Sequence, residues 1–250
     1  MRVLVTRPAS QANEWVQALR DAGLQAEALP LIGIAPPLDA AAVAEAWATL
    51  PTQAMVLFVS PNAVSHFFAL KPAQCAWPAD VVAASPGPGT TRVLRSLGVA
   101  LIAEPAVDAP QFDSEALWQQ LSSQGWAGRR VLVVRGTSGR DWIADRLRER
   151  GAELSFVAAY GRTAPQLSAV EQALLDHAVA EPAQHLWFFS SSEAIDHLSA
   201  LAPLAHWSMA LALATHPRIA ERARQLGVGR VVEARPAVEA VVACIQSIAS

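Results

Sequence analysis

Arg2-Val3-Leu4-Val5-Thr6-Arg7 and Arg130-Val131-Leu132-Val133-Val134-Arg135 are near copies of one another, and that likeness decides how the chain folds. Each is a short, largely β-branched run with an arginine at either end. The run does not alternate, so it reads as a strand covered on both faces, as in a parallel sheet between helices. Two further pairs follow in the same order. Ser60-Pro61-Asn62-Ala63-Val64-Ser65-His66-Phe67 matches Ser191-Ser192-Glu193-Ala194-Ile195-Asp196-His197-Leu198, and residues 88–99 match 217–228. The offsets are 128 residues from Arg2 to Arg130, 131 from Ser60 to Ser191 and 129 from Pro88 to Pro217. Three ordered matches at nearly one offset indicate an internal duplication.

Residues 3–6, 55–59, 81–84, 131–134, 186–189 and 231–233 read as strands, and the amphipathic Ala/Leu/Arg segments between them as helices. Gly23, Gly98, Gly151 and Gly227 each close an apolar-periodic segment ahead of a strand, where a left-handed cap is wanted. Residues 29–37 and 156–165 occupy equivalent places in the two copies, are extended in character and end in proline, which suits two crossover strands. On that reading the chain leaves its first lobe after one strand–helix–strand unit. Residues 1–36 and 164–250 then form one lobe, and residues 37–163 the other.

With 52% hydrophobic and 16% charged residues among 250, the chain can bury two modest cores and is not expected to be disordered. Its net charge is -3 and its positive residues are scattered, so no basic stripe exists for nucleic acid. Lys71 is the only lysine, which rules out a Gly-Lys-Ser/Thr phosphate loop and leaves arginine to read anions. Cys75 and Cys244 stand far apart among apolar neighbours and read as reduced core residues of a cytoplasmic protein. The opening apolar run is too short for a signal peptide. Ala-rich stretches such as 209–214 end within one or two helical turns, so no membrane span is expected.

Loops running from strand ends into helix N-termini hold most of the side chains that can meet a ligand. Ser60-Pro61-Asn62-Ala63 has a serine N-cap and a proline at the first helical position, leaving the next amides free to face an oxyanion. Ser190-Ser191-Ser192-Glu193 is its counterpart. Gly87-Pro88-Gly89-Thr90-Thr91 resembles half of a dinucleotide fingerprint but has Arg92 where the third glycine belongs. Arg135-Gly136-Thr137-Ser138-Gly139-Arg140 sets two guanidinium groups beside a flexible turn, a pairing suited to carboxylates. Each such loop also serves as a plain helix cap, and either arginine as a solvated surface group. Gly-x-Ser-x-Gly is absent, no acidic pair stands out for glycosidic chemistry, and the histidines lack metal-ligand spacing, so no metal site is expected. His66 and His197, at matching places within their helices, read as structural. Tyr160, the only tyrosine, sits on a crossover segment and carries either a neutral proton donor or a packing ring.

At Val5-Thr6-Arg7-Pro8, Phe58-Val59-Ser60-Pro61-Asn62-Ala63-Val64, Gly87-Pro88-Gly89-Thr90, Val134-Arg135-Gly136 with Arg140, Tyr160, and Phe189-Ser190-Ser191-Ser192-Glu193-Ala194, the sequence resembles the uroporphyrinogen-III synthase family. The resemblance runs over essentially the full length. It implies an α/β fold of two flavodoxin-like parallel-sheet lobes joined by a two-stranded ladder, the first lobe built from both chain ends. It further implies a lyase of tetrapyrrole and haem biosynthesis, which closes linear hydroxymethylbilane into uroporphyrinogen III with loss of water and inversion of ring D. No metal or organic cofactor is implied. The substrate's carboxylates would meet Arg7, Ser60, Asn62, Ala63, Gly87, Gly89, Thr90, Arg135, Gly136, Arg140, Ser190, Ser191 and Ser192, while Tyr160 would assist the departing hydroxyl.

One departure stands out: the family often has a Gly-Pro-Thr-Thr-like turn in the second copy, and this chain has Thr215-His216-Pro217-Arg218-Ile219. Either Thr215 takes that role or Arg218 binds a carboxylate in its place. The expected partners are the bilane and, in passing, hydroxymethylbilane synthase; the chain is expected to be a monomer that avoids membranes and nucleic acid. A two-lobed binding or sensor module for a small anionic ligand is the alternative reading, and a nucleotide- or flavin-dependent α/β enzyme is another.

Overall fold

The computed structural model describes residues 1–137, 139 and 141–249. Its strands are β1 (Arg2–Val5), β2 (Ala26–Ala28), β3 (Gly33–Ala35), β4 (Met55–Phe58), β5 (Val82–Ala84), β6 (Ile102–Ala103), β7 (Arg130–Gly136), β8 (Glu153–Thr163), β9 (His185–Phe189), β10 (Leu211–Ala214) and β11 (Arg230–Glu233). They form two sheets, in the orders β11-β10-β9-β1-β2 and β3-β8-β7-β4-β5-β6. Within the first sheet the pairings are parallel, as they are from β8 to β6 in the second.

The duplication accounts for both orders. If β1, β2, β9, β10 and β11 hold positions one to five of the first copy, then β7, β8, β4, β5 and β6 hold the same positions in the second. Both sheets then have the flavodoxin-like order 2-1-3-4-5. The second copy is a circular permutation of the first, with β3 added at its edge beside β8. The chain divides into two compact units, one of Met1–Ile34 with Thr163–Ser250 and one of Ala35–Arg162.

Burial on both faces of each sheet explains the unalternating strands. In the first unit Val3, Val5, Leu186, Phe188 and Leu213 pack against helix residues Ala12, Val16, Leu19, Val241 and Ile245. The alternate residues Leu4, Trp187, Phe189, Ala212 and Ala214 face the opposite helices through Leu175, Ile195, Leu198 and Ala220. The second unit repeats the pattern with Met55, Leu57, Val131 and Val133 against Leu117, Ile143 and Leu147.

Residues 211–214, read in the sequence only as part of an Ala-rich stretch, are strand β10. Alanine's helix preference amounts to a few tenths of a kcal/mol per residue, less than the gain from a central place between β9 and β11. The small side chains of Ala212 and Ala214 share their face with Trp187 and Trp207, which leaves room for two indoles. Gly23, Gly98, Gly151 and Gly227 all adopt positive φ, between 81° and 98°. At Gly227, the left-handed cap lets its N–H reach the carbonyls of the last helical turn. Cys75 and Cys244 are unpaired and only half-buried. Among the described residues no helix is long and apolar enough to cross a membrane, and no three metal-ligating side chains gather.

At the N-terminal end of β9, His185 is buried. Its Nδ1 lies 2.9 Å from the Glu181 carbonyl and its Nε2 lies 3.4 Å from Nδ1 of His177. Nδ1–H donates to the carbonyl, which in the neutral ring leaves Nε2 as an acceptor facing His177. Burial, more than any neighbour, holds its pKa below the usual histidine value. A base whose folded pKa is depressed stabilises the fold fully above the unfolded value, about 6.5. That contribution is lost as pH falls, because the unfolded chain takes up the proton more readily. The thermal midpoint should therefore drop on acidification from neutral pH to about pH 5. His185→Gln should flatten that slope in a calorimetric pH series, and an unchanged slope would clear this pair of any part in acid sensitivity.

Candidate active site

In a 2-1-3-4-5 sheet, ligands bind beyond the strand C-termini where the order reverses, between positions one and three. That point lies between β7 and β4 in the second unit and between β1 and β9 in the first.

In the second unit, Ser60 follows β4 and caps the helix Pro61–Ala69, its Oγ accepting from the Ala63 N–H at 3.1 Å. The helix is fixed to its neighbours through aromatic side chains: the Trp47 indole donates to the Phe67 carbonyl at 2.9 Å and stacks on the Phe67 ring at 4.7 Å. Tyr160, on β8, is only 3% exposed, and its hydroxyl lies 3.1 Å from Ser60 Oγ. Across from it in register, just past a β-bulge, is Gly136 at the end of β7. A Cβ there would stand 3.0 Å from Tyr160 Cζ and 3.2 Å from its hydroxyl, so the glycine makes room for the phenol.

His66, read as structural, lies along the Tyr160 ring with centroids 5.8 Å apart and 27° between planes. Burial lowers its basicity, so it covers the phenol as a neutral ring at neutral pH. Its repeat counterpart His197 does something different: its Nδ1 lies 2.6 Å from the Leu31 carbonyl. Gly136→Ala should force the Tyr160 ring to move, at a cost of about 1–3 kcal/mol. Urea unfolding should show that loss together with slower turnover, and a variant of normal stability would mean that the ring has space to give.

Beside this site, Gly87 opens the helix Pro88–Ser96. Buried Ser85 holds the turn: its Oγ donates to the Gly87 carbonyl at 2.9 Å and accepts from the Gly87 N–H at 3.3 Å and Thr91 Oγ1 at 3.1 Å. A Cβ on Gly89 would come 3.6 Å from Pro61 Cγ, so the N-termini of the two helices sit side by side. Asn62, Ala63 and Thr90 are buried around them. Arg135 is engaged elsewhere: it forms an ion pair with Asp141, and its guanidinium lies 5.8 Å from the Phe156 ring. Arg140 lies outside the described residues.

In the first unit, Thr6 Oγ1 donates to the Phe188 carbonyl at 2.8 Å and ties the end of β1 to β9. Arg7 follows, half-buried, with its guanidinium 4.9 Å from the Trp15 ring and Nη1 donating to Gln11 Oε1 at 3.3 Å. Burial lowers its pKa to about 10, against the opposing pull of Glu14, so the group stays charged at neutral pH. Ser190, Ser191 and Ser192 lie half-buried where β9 gives way to the helix Ser192–Leu201, with Ser191 at the cap position. Thr215 is buried, and its N–H donates to the Phe189 carbonyl at 3.1 Å. His216 caps the helix Pro217–Leu226, its Nδ1 accepting from the N–H of exposed Arg218 at 3.1 Å.

A family model described as uroporphyrinogen-III synthase HemD matches residues 13–243. The chain is 31% identical over 232 residues to the uroporphyrinogen-III synthases of Salmonella typhimurium and Escherichia coli K12, covering 91% of this chain and 92% of each relative. A solved mutant uroporphyrinogen III synthase of Thermus thermophilus resembles it with a TM-score of 0.61 at 14% identity, over 100% of this chain and 97% of that one. The Helicobacter pylori 26695 enzyme gives 0.61 at 16% identity, over 99% and 100%. At such identities the solved structures speak for the fold alone.

Proposed function

The chain belongs to the uroporphyrinogen-III synthase family, and we propose that its second unit carries the acid chemistry of that reaction while helix N-termini in both units take up the substrate's carboxylates. The reaction closes hydroxymethylbilane into uroporphyrinogen III with loss of water. Hydroxide leaves the terminal hydroxymethyl group, giving an azafulvene-type cation that attacks the substituted carbon of ring D. The spiro intermediate opens and recloses with that ring inverted.

Pyrrole nitrogens already stabilise the cation, so most of the protein's work is to fold a flexible chain into one reactive geometry, an effect worth up to roughly 7–11 kcal/mol. The positive dipole ends of the helices that begin after Ser60, Gly87, Ser191 and His216 suit a polyanion, because they favour negative charge without demanding particular side chains. Arg7 adds a fixed positive charge. The observation that carries the reading is the Tyr160 hydroxyl seated against Ser60 and Gly136 beside two of these N-termini.

The test is to incubate the purified protein with hydroxymethylbilane and assign the product isomer by chromatography. Type III product without any additive is expected; its absence would return the chain to the binding-module reading. Arg135→Ala should raise KM more than it lowers kcat if the group meets a substrate carboxylate equally in ground and transition states. Unchanged kinetics would leave Arg135 as no more than the partner of Asp141.

A further inference from the structure

The seating of Tyr160 raises a difficulty for direct proton donation. A side chain that is 3% exposed cannot meet a large, eight-carboxylate substrate face to face, whereas half-buried Ser60 stands between the phenol and the helix N-terminus. The two oxygens are 3.1 Å apart, and Ser60 Oγ already accepts from the Ala63 N–H. A serine hydroxyl has two acceptor sites and one proton. Either oxygen can donate in this bond; a phenol is intrinsically a much stronger acid than an aliphatic hydroxyl, which favours Tyr160 as the donor into the second acceptor site of Ser60, and the serine's own proton then has no acceptor among the described residues.

Resting on the reading of Tyr160 as the acid, we propose that Ser60 is the catalytic residue that touches the departing hydroxyl, and that buried Tyr160 acts through it in a two-step relay. As the C–O bond breaks with its electron pair going to oxygen, Ser60 Oγ–H protonates the leaving hydroxide to water. The Tyr160 phenol proton moves onto Ser60 Oγ, and Tyr160 is left as phenolate. The proton that ring closure releases from the pyrrole carbon returns along the same path, so the cycle needs no other reactant. Gly136 and His66 serve the relay by placement, the one by having no Cβ in the phenol's path and the other by covering the ring against water.

Because Tyr160 is the only tyrosine, the ring-mode doublet in the Raman spectrum reports on this one hydroxyl. Without substrate, the unaltered protein should show the intensity pattern of a donating phenol. Ser60→Gly, which keeps most of the capping effect, should abolish that pattern, and Ser60→Thr should restore it. With hydroxymethylbilane, Ser60→Gly and Tyr160→Phe should each lower kcat by about ten-fold or more, and the double variant no further, since the hydroxyls act in one chain. A doublet of accepting type, or one indifferent to Ser60→Gly, overturns the relay, as do losses that multiply. Normal turnover in Ser60→Gly beside a slow Tyr160→Phe also overturns it while leaving Tyr160 as the direct acid. Normal turnover in Tyr160→Phe removes both readings.

Discussion

Tyr160→Phe should slow turnover of hydroxymethylbilane by about ten-fold or more while the product stays uroporphyrinogen III. The substitution keeps the ring that packs beneath His66 and against Gly136, and removes one oxygen whose bond is to a half-buried serine. Stability should therefore change by no more than about 1 kcal/mol, the usual net worth of such a hydrogen bond. Rate should suffer because a general acid contributes about 10²–10⁴-fold, and the isomer should not, because ring inversion depends on how the bilane is folded. Turnover with isomer analysis, alongside circular dichroism of the variant, gives the answer. A folded variant with a near-normal rate would take Tyr160 out of the mechanism.

The largest expected loss of stability is at Trp187, on the central strand of the first sheet. This side chain is fully buried, stacked on Phe189 with centroids 6.1 Å apart and edge-on to Trp207 at 5.7 Å. Trp187→Ala should cost about 3–5 kcal/mol, combining lost burial with the cavity left behind, a large share of the roughly 5–15 kcal/mol that holds a typical domain together. Its indole Nε1 is buried without a hydrogen-bond partner among the described residues. Trp187→Phe discards that unanswered donor, which offsets part of the lost packing, so it should cost less than about 2 kcal/mol. Urea unfolding of both variants provides the comparison; equal losses would show that the indole nitrogen has a partner after all.

What could be read from the sequence follows from where the physics is local. Strands covered on both faces must be apolar at successive positions, so β1 and β7 announce themselves, and their likeness exposes the duplication. Helix caps are also local, and Ser60 and Gly227 could be placed from a few residues each. Strand β10 could not, because alanines carry no strand signal and its place is set by the indoles opposite. Ser85 is a single buried serine whose bonds reach two and six residues along, a pattern any loop serine could share. The setting of Tyr160 depends on facts far apart in the chain: Ser60 lies 100 residues away, and Gly136 meets the phenol only because a bulge shifts the register after Arg135. That His66 and His197 hold matching places does not give them matching contacts, since duplicated places can diverge once the two copies face different neighbours.

The permuted order of the two copies also sets a schedule for synthesis. Strand β1 leaves the ribosome well before β9, yet Arg2 pairs with His185, so its main partner has still to be translated. The whole of Ala35–Arg162 emerges in between. At about 5–20 residues per second, the apolar strand at Val3–Val5 spends on the order of ten seconds or more beside only β2, while the inserted unit already has its complete sequence. The nascent chain is thus a finished guest inside an unfinished host, and β1 is the strand that waits for its partner while a whole unit is made.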